Sequence, residues 1–88
     1  MTRFMWLVCE IGDGLFPDER AVSIQAADGM IAFFAAQSKL KQSADPRRGT
    51  VRVEVLDYDE NFGLVELPSP IIGGSNTAKV SRTALTLQ

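Results

Sequence analysis

Between Thr50 and Leu67 the chain reads TVRVEVLDYDENFGLVEL, and no other stretch limits the fold as strongly. Val51, Val53 and Val55 alternate with polar residues, which is the period of a strand buried on one face, and Val65 and Leu67 repeat the pattern on the return. A loop of Asp59-Glu60-Asn61, with Asn61 left-handed, makes paired positions sum to 120. Val55 then faces Val65 and Val53 faces Leu67. Leu56 with Leu64 and Tyr58 with Phe62 fall on the opposite face. A hairpin apolar on both sides needs cover on both, and a chain of 88 residues has material for one core only.

The rest of the chain also reads as strands. FMWLVCEI (Phe4 to Ile11) is aromatic and β-branched, so it predicts a buried strand ending near Gly12, with Met5, Leu7, Cys9 and Ile11 on one face and Phe4, Trp6 and Val8 on the other. GDGLFPDER carries too much turn chemistry for a helix, and its Leu15 and Phe16 are expected to fold back onto the core. AVSIQA (Ala21 to Ala26) alternates at period two.

ADGMIAFFAAQSKLK (Ala27 to Lys41) admits two readings. As a helix over about 30–41 it would set Met30, Ile31, Phe33, Phe34 and Leu40 on one arc, but Gln37 and Lys41 would interrupt that arc. As a hairpin arm turning at Asp28-Gly29, a favoured type I′ pair, positions sum to 57, and Val22, Ile24 and Ala26 meet Ala35, Phe33 and Ile31. The hairpin satisfies every apolar position and is the expectation, with a single helical turn near Ser38 to Leu40 before a loop. Pro68 and Pro70 stop the second hairpin, IIGGSN (71–76) reads as a mobile loop, and TAKVSRTALTLQ supplies a last strand broken by a tight turn at Arg82-Thr83.

The expected fold is therefore all-β: one domain over residues 1–88, a small, partly open barrel of 5–6 antiparallel strands. Its element order, a long first loop, three antiparallel strands and a late tight turn before the last strand, resembles an SH3-like barrel. If 30–41 were helical, the alternative is a small antiparallel sheet crossed by one helix.

Chemistry is sparse. Histidine is absent and Cys9 is the only cysteine, so the commonest zinc ligand and general base are missing and no internal disulfide can form. Cys9 sits in an apolar run and reads as a small core residue. DYDENFG starts like a calcium loop but places Phe62 where glycine is needed and Pro68 where the bidentate glutamate belongs. GGSN lacks the Lys-Ser/Thr of a phosphate loop. No catalytic residue, cofactor or metal is expected. The remaining alternative is a small enzyme with an acidic-loop site, for instance one that brings Asp13, Asp18 or Glu19 of the first loop against Asp57 or Asp59. The apolar run at the N-terminus ends at Cys9, too short for a membrane span or a leader, so a cytoplasmic setting without a membrane role is expected.

Two functional expectations follow. The first is a non-catalytic module that binds a protein partner or a second copy of itself through Leu56, Tyr58, Phe62 and Leu64, unless the loop bearing Leu15 and Phe16 covers that face. The second is a single-stranded nucleic-acid-binding barrel using Lys39, Lys41, Arg47, Arg48 and Arg52, which hold five of the nine basic side chains. The net charge of −2 opposes the second.

Overall fold

A computed structural model describes residues 3–71 and 74–87. It contains eight strands and no α-helix among the described residues: β1 (Arg3–Asp13), β2 (Glu19–Ala26), β3 (Gly29–Ala36), β4 (Leu40–Gln42), β5 (Arg48–Tyr58), β6 (Phe62–Glu66), β7 (Thr77–Ser81) and β8 (Leu85–Leu87). Single 3₁₀ turns at Gln37–Lys39 and Arg82–Ala84 lead into β4 and β8. Both fall where the sequence places its short interruptions.

The all-β barrel holds, and it closes. Strands β1, β5, β6, β7 and β2 pair antiparallel in turn, and β2 returns to β1. Closure depends on β1 serving two neighbours along one edge: Met5–Leu7 pair with β8, and Glu10–Asp13 pair with β2. The last link is short. Ala26 pairs with Val80, and the Ala27 amide donates to the Lys79 carbonyl at 2.8 Å. Closing the sheet removes edges that would otherwise expose unpaired backbone groups.

The core is the inward row of every strand. Leu7, Cys9, Ile11, Val22, Ile24, Phe33, Ala35, Val51, Val53, Val55, Val65, Leu67, Ala78, Val80 and Leu85 form one buried cluster, and no polar side chain is buried with them among the described residues. Aliphatic residues dominate because bent, closely spaced strands leave little room for larger rings. Phe33 is the only aromatic in the cluster.

Several expectations change. The first hairpin turns at Ala27-Asp28, and its pairs sum to 55: Val22 faces Phe33 and Ile24 faces Ile31. The shift is by two residues, so each side chain keeps its face. Its cause is tertiary, since Ala26 and Ala27 close the barrel against β7 and so extend β2 to that point. A type I′ turn needs positive φ at both central residues, whereas here only Gly29 has it, at +123°. In the second hairpin Val55 faces Val65 as expected, but Leu56 bulges out, so Asp57 faces Leu64 and Tyr58 faces Gly63. Asn61 is not left-handed. Asp59 turns the chain instead, its Oδ1 accepting from the amides of Asn61 and Phe62 at 2.8 and 2.9 Å.

Two segments expected to be loops are structured. Leu40 pairs with Val51 and packs against the core, which makes 40–42 a short strand. Ile71 bridges Phe33 and is half-buried, so the IIGGSN connection is docked at its start; Ile72 and Gly73 lie outside the described residues. Leu15 and Phe16 do not fold back. They stand at the tip of the β1–β2 hairpin, 74% and 64% exposed.

Candidate functional site

The bulge at Leu56 divides the expected contact face. Val55 points inward opposite Val65, Leu56 and Asp57 both oppose Leu64 on the outside, and Tyr58 shares the inner side with buried Gly63. Leu56 and Leu64 are exposed on the barrel wall, and Phe62, half-buried on the same side of β6, carries the Lys79 ammonium 4.4 Å above its ring. Tyr58 instead lies at the end of the barrel beside Met5, Leu85 and Leu87. Its ring is flanked by the guanidinium groups of Arg82 at 5.0 Å and Arg3 at 5.9 Å, and its hydroxyl accepts from Arg3 Nη1 at 3.1 Å. Leu56, Leu64 and Phe62 therefore lie on the outer wall, and Tyr58 sits toward the barrel end, next to Leu56 in a depression shared with Arg3 and Asp57.

The turn beside this face is well fixed. Asp59 receives two backbone amides, and Arg82 donates its own amide to the Asn61 carbonyl at 2.9 Å, tying the hairpin to the second 3₁₀ turn. The amides of Phe62 and Asn61, in that order, hold the Asp59 carboxyl below its usual range, with Lys79 and Arg82 adding to the shift.

The basic residues of 39–52 also separate. On the outer face of β1, β5 and β4, Trp6 opposes Arg52 and Val8 opposes Thr50, which in turn opposes Lys41. Lys41 lies 4.5 Å over the Trp6 ring and Arg52 4.0 Å over Phe4. Stacking leaves the Arg52 Nε buried without a hydrogen-bond partner. Lys39 joins Phe4 and Arg52 around a small depression of about 170 Å³ that also contains Glu54 and Glu66. Arg48 opposes Glu10 on this same outer face. Arg47 faces elsewhere, into a depression with Asp13 and Arg20. Three of the five cations, Lys39, Lys41 and Arg52, thus surround an aromatic pair that sequence reasoning had assigned only as the second face of a buried strand, while Arg48 lies farther along the same face. The period-two pattern of Phe4, Trp6 and Val8 opposite Arg52 and Thr50 was the available signal, but it needed the β1–β5 register to be read.

The same outer face curves into a groove of about 570 Å³, where the bent β1 brings Ser23, Gln25 and Met30 of β2 and β3 toward Lys41, Arg48 and Thr50 of β4 and β5. Its volume lies within the range of ligand pockets, about 300–1,000 Å³. Val8 forms part of the floor.

The acidic loops do not converge. Because β1 runs antiparallel to β5 with Arg3 opposite Val55 and Glu10 opposite Arg48, Asp13, Asp18 and Glu19 lie at one end of β1 and Asp57 and Asp59 at the other. Ten residues of strand, roughly 33 Å along the backbone, separate the two ends. Among the described residues no three His, Cys, Asp or Glu side chains are grouped to hold a metal ion, and no helix is long and apolar enough to cross a membrane. Cys9 is buried, and desolvation pushes its thiol up to about 12. Comparison with protein-family models, curated proteins and solved structures finds no match.

Proposed function

We propose that the protein is a non-catalytic association module that binds a protein partner through the β5–β6 wall bearing Leu56, Phe62 and Leu64, with Tyr58 at its rim. The observation that carries this reading is the position of Leu15 and Phe16. They were the chain's own candidates to cover that wall, yet they project into solvent at the tip of another hairpin, leaving Leu56 and Leu64 at 47% and 42% exposure. Two leucines on a rigid sheet flanked by Lys79 and Arg82 offer the usual makeup of a small contact: apolar anchors with a charged rim. We read the barrel as SH3-like. A 3₁₀ turn before a short last strand that returns to β1 supports this. A cytoplasmic setting belongs to the same reading, supported by the buried free thiol of Cys9.

The test uses the double variant Leu56→Ser/Leu64→Ser. Quantitative capture from whole-cell extract should identify a protein held by the wild type and lost at least about tenfold by the variant, a loss of roughly 1.4 kcal/mol or more. Its melting temperature should stay within a few degrees of wild type. Equal capture by both proteins, or a large drop in stability, would remove the proposal.

A second reading has its own observation. Trp6 under Lys41 and Phe4 under Arg52, with Lys39 and Arg48 on the same outer face, form an aromatic and basic surface suited to single-stranded nucleic acid. Trp6 is the only tryptophan, so its fluorescence reports directly on this surface. Titration with an oligothymidylate at low salt should change that signal, and affinity should fall as salt rises. No change at low salt excludes this reading.

A further inference from the structure

The β1–β2 hairpin tip is an unusual place for two large apolar side chains, because its backbone is firmly held. The Glu19 amide donates to the Phe16 carbonyl at 3.1 Å, the Leu15 amide donates to Glu19 Oε1 at 3.1 Å, and the Gln37 amide donates to the Asp18 carbonyl at 2.8 Å. Arg20 Nη1 closes the loop from below by donating to the carbonyls of Pro17 and Glu19 at 3.0 and 2.9 Å. A Cβ on Gly14 would collide with the Glu19 carbonyl, so the approach of the two arms requires glycine there. Leu15 and Phe16 are thus presented outward on a fixed frame, at little ordering cost to any complex they enter.

The tip and the 570 Å³ groove are complementary. The tip offers two apolar anchors among Asp13, Asp18 and Glu19, three carboxylates opposed by Arg20 and, beside Asp13, by Arg47. The groove offers apolar Val8 and Met30, 55% and 56% exposed, between Lys41 and Arg48, with Glu10 the single opposing charge. A net negative apolar knob therefore matches a net positive apolar depression in the same chain. The tip cannot fill its own groove: Val8 and Asp13 lie on one continuous strand about 17 Å apart, and the hydrogen-bonded tip continues away from it.

We propose that the occupant of the groove is the Leu15–Phe16 tip of a second copy of this chain. Tip and groove are different surfaces of one chain, so two copies either exchange tips reciprocally about a two-fold axis, which uses both tips and both grooves, or dock head to tail, which leaves one free tip and one free groove. Reciprocal exchange stops at a dimer, and head-to-tail docking continues into a ring or an open chain. The inference is independent of the β5–β6 wall, whose double serine variant keeps both tip and groove intact.

Light scattering on the full chain tests it. The average mass of the wild type should rise with concentration toward at least twice the 9.6 kDa protomer, and the rise should weaken as salt increases. Phe16→Ser disables the tip and Lys41→Glu disables the groove, so each variant alone should stay at protomer mass. Mixed, they retain one working tip and one working groove, and they should form a one-to-one pair and nothing larger. Met30→Ser serves as a second groove variant should Lys41→Glu melt early. A wild type that is monomeric at roughly 1 mM overturns the proposal, as does a dimer indifferent to Phe16→Ser or variants that fail to pair when mixed. Loss of oligothymidylate binding by Lys41→Glu in a monomeric wild type would assign the groove to nucleic acid instead.

Discussion

Phe33 and Phe34 are neighbours in sequence and should differ sharply when each is replaced by alanine. Phe33 is fully buried opposite Val22, whereas Phe34 is half-buried on the outer face opposite Ala21. Removing a fully enclosed phenyl ring costs about 3–5 kcal/mol, combining lost transfer energy with the cavity left behind. Truncating a half-buried ring forfeits about half of the 1.5–3 kcal/mol of its burial, roughly 1 kcal/mol. For a domain of this size each kcal/mol lowers the melting temperature by about 4–8 °C. Phe33→Ala should therefore melt about 20 °C below wild type and Phe34→Ala about 5 °C below. Total stability is about 4–13 kcal/mol at this length, so Phe33→Ala removes from about a quarter to nearly all of it. Thermal unfolding followed by circular dichroism, with urea unfolding as a cross-check, measures both. Strand geometry puts the two rings on opposite faces; a helix over 30–41 would put them on one arc. Equal losses for the two variants would refute the strand and the register built on it.

Two further predictions concern the backbone and the thiol. Gly29 has φ of +123° with open space around its Cβ position, so Gly29→Ala should cost about 1–2 kcal/mol through backbone strain alone, read as a lower urea midpoint with an unchanged slope. Cys9 ionises near 9.0 when free but only near about 12 in the folded barrel, so the unfolded chain loses its proton first as pH rises. Its contribution to stability is intact below about pH 9 and is lost progressively from there toward pH 12, at up to about 1.4 kcal/mol per pH unit. Melting temperatures between pH 8 and 10.5 should fall more steeply for wild type than for Cys9→Ala, and parallel curves would contradict the burial of the thiol.

The residues that were readable in advance are those whose role follows from alternation along one strand. Leu7, Cys9 and Ile11, Val51, Val53 and Val55, and Val65 and Leu67 all lie in the core because a pleated strand sends every second side chain to one side. Even the two-residue error in the first hairpin preserved those faces. The bulge at Leu56 broke the alternation and sent Tyr58 to the barrel end, and nothing in LDYDENFG distinguishes a bulged from a regular pairing. Leu15 and Phe16 misled in another way: apolarity argues for burial, but a hairpin tip stabilised by its own hydrogen bonds can hold such residues in solvent.

What the amino-acid order determined alone is the longer strands and their buried faces, since period and turn chemistry act over a few neighbouring residues; the three-residue strand at 40–42 was not among them. The tertiary structure decided the rest. That β2 closes against β7, that β1 divides one edge between β8 and β2, and that Trp6 and Phe4 meet Lys41 and Arg52 are pairings between residues tens of positions apart. Such contacts depend on how bent strands meet around one shared core, so local periodicity leaves them open and only closure of the barrel selects them.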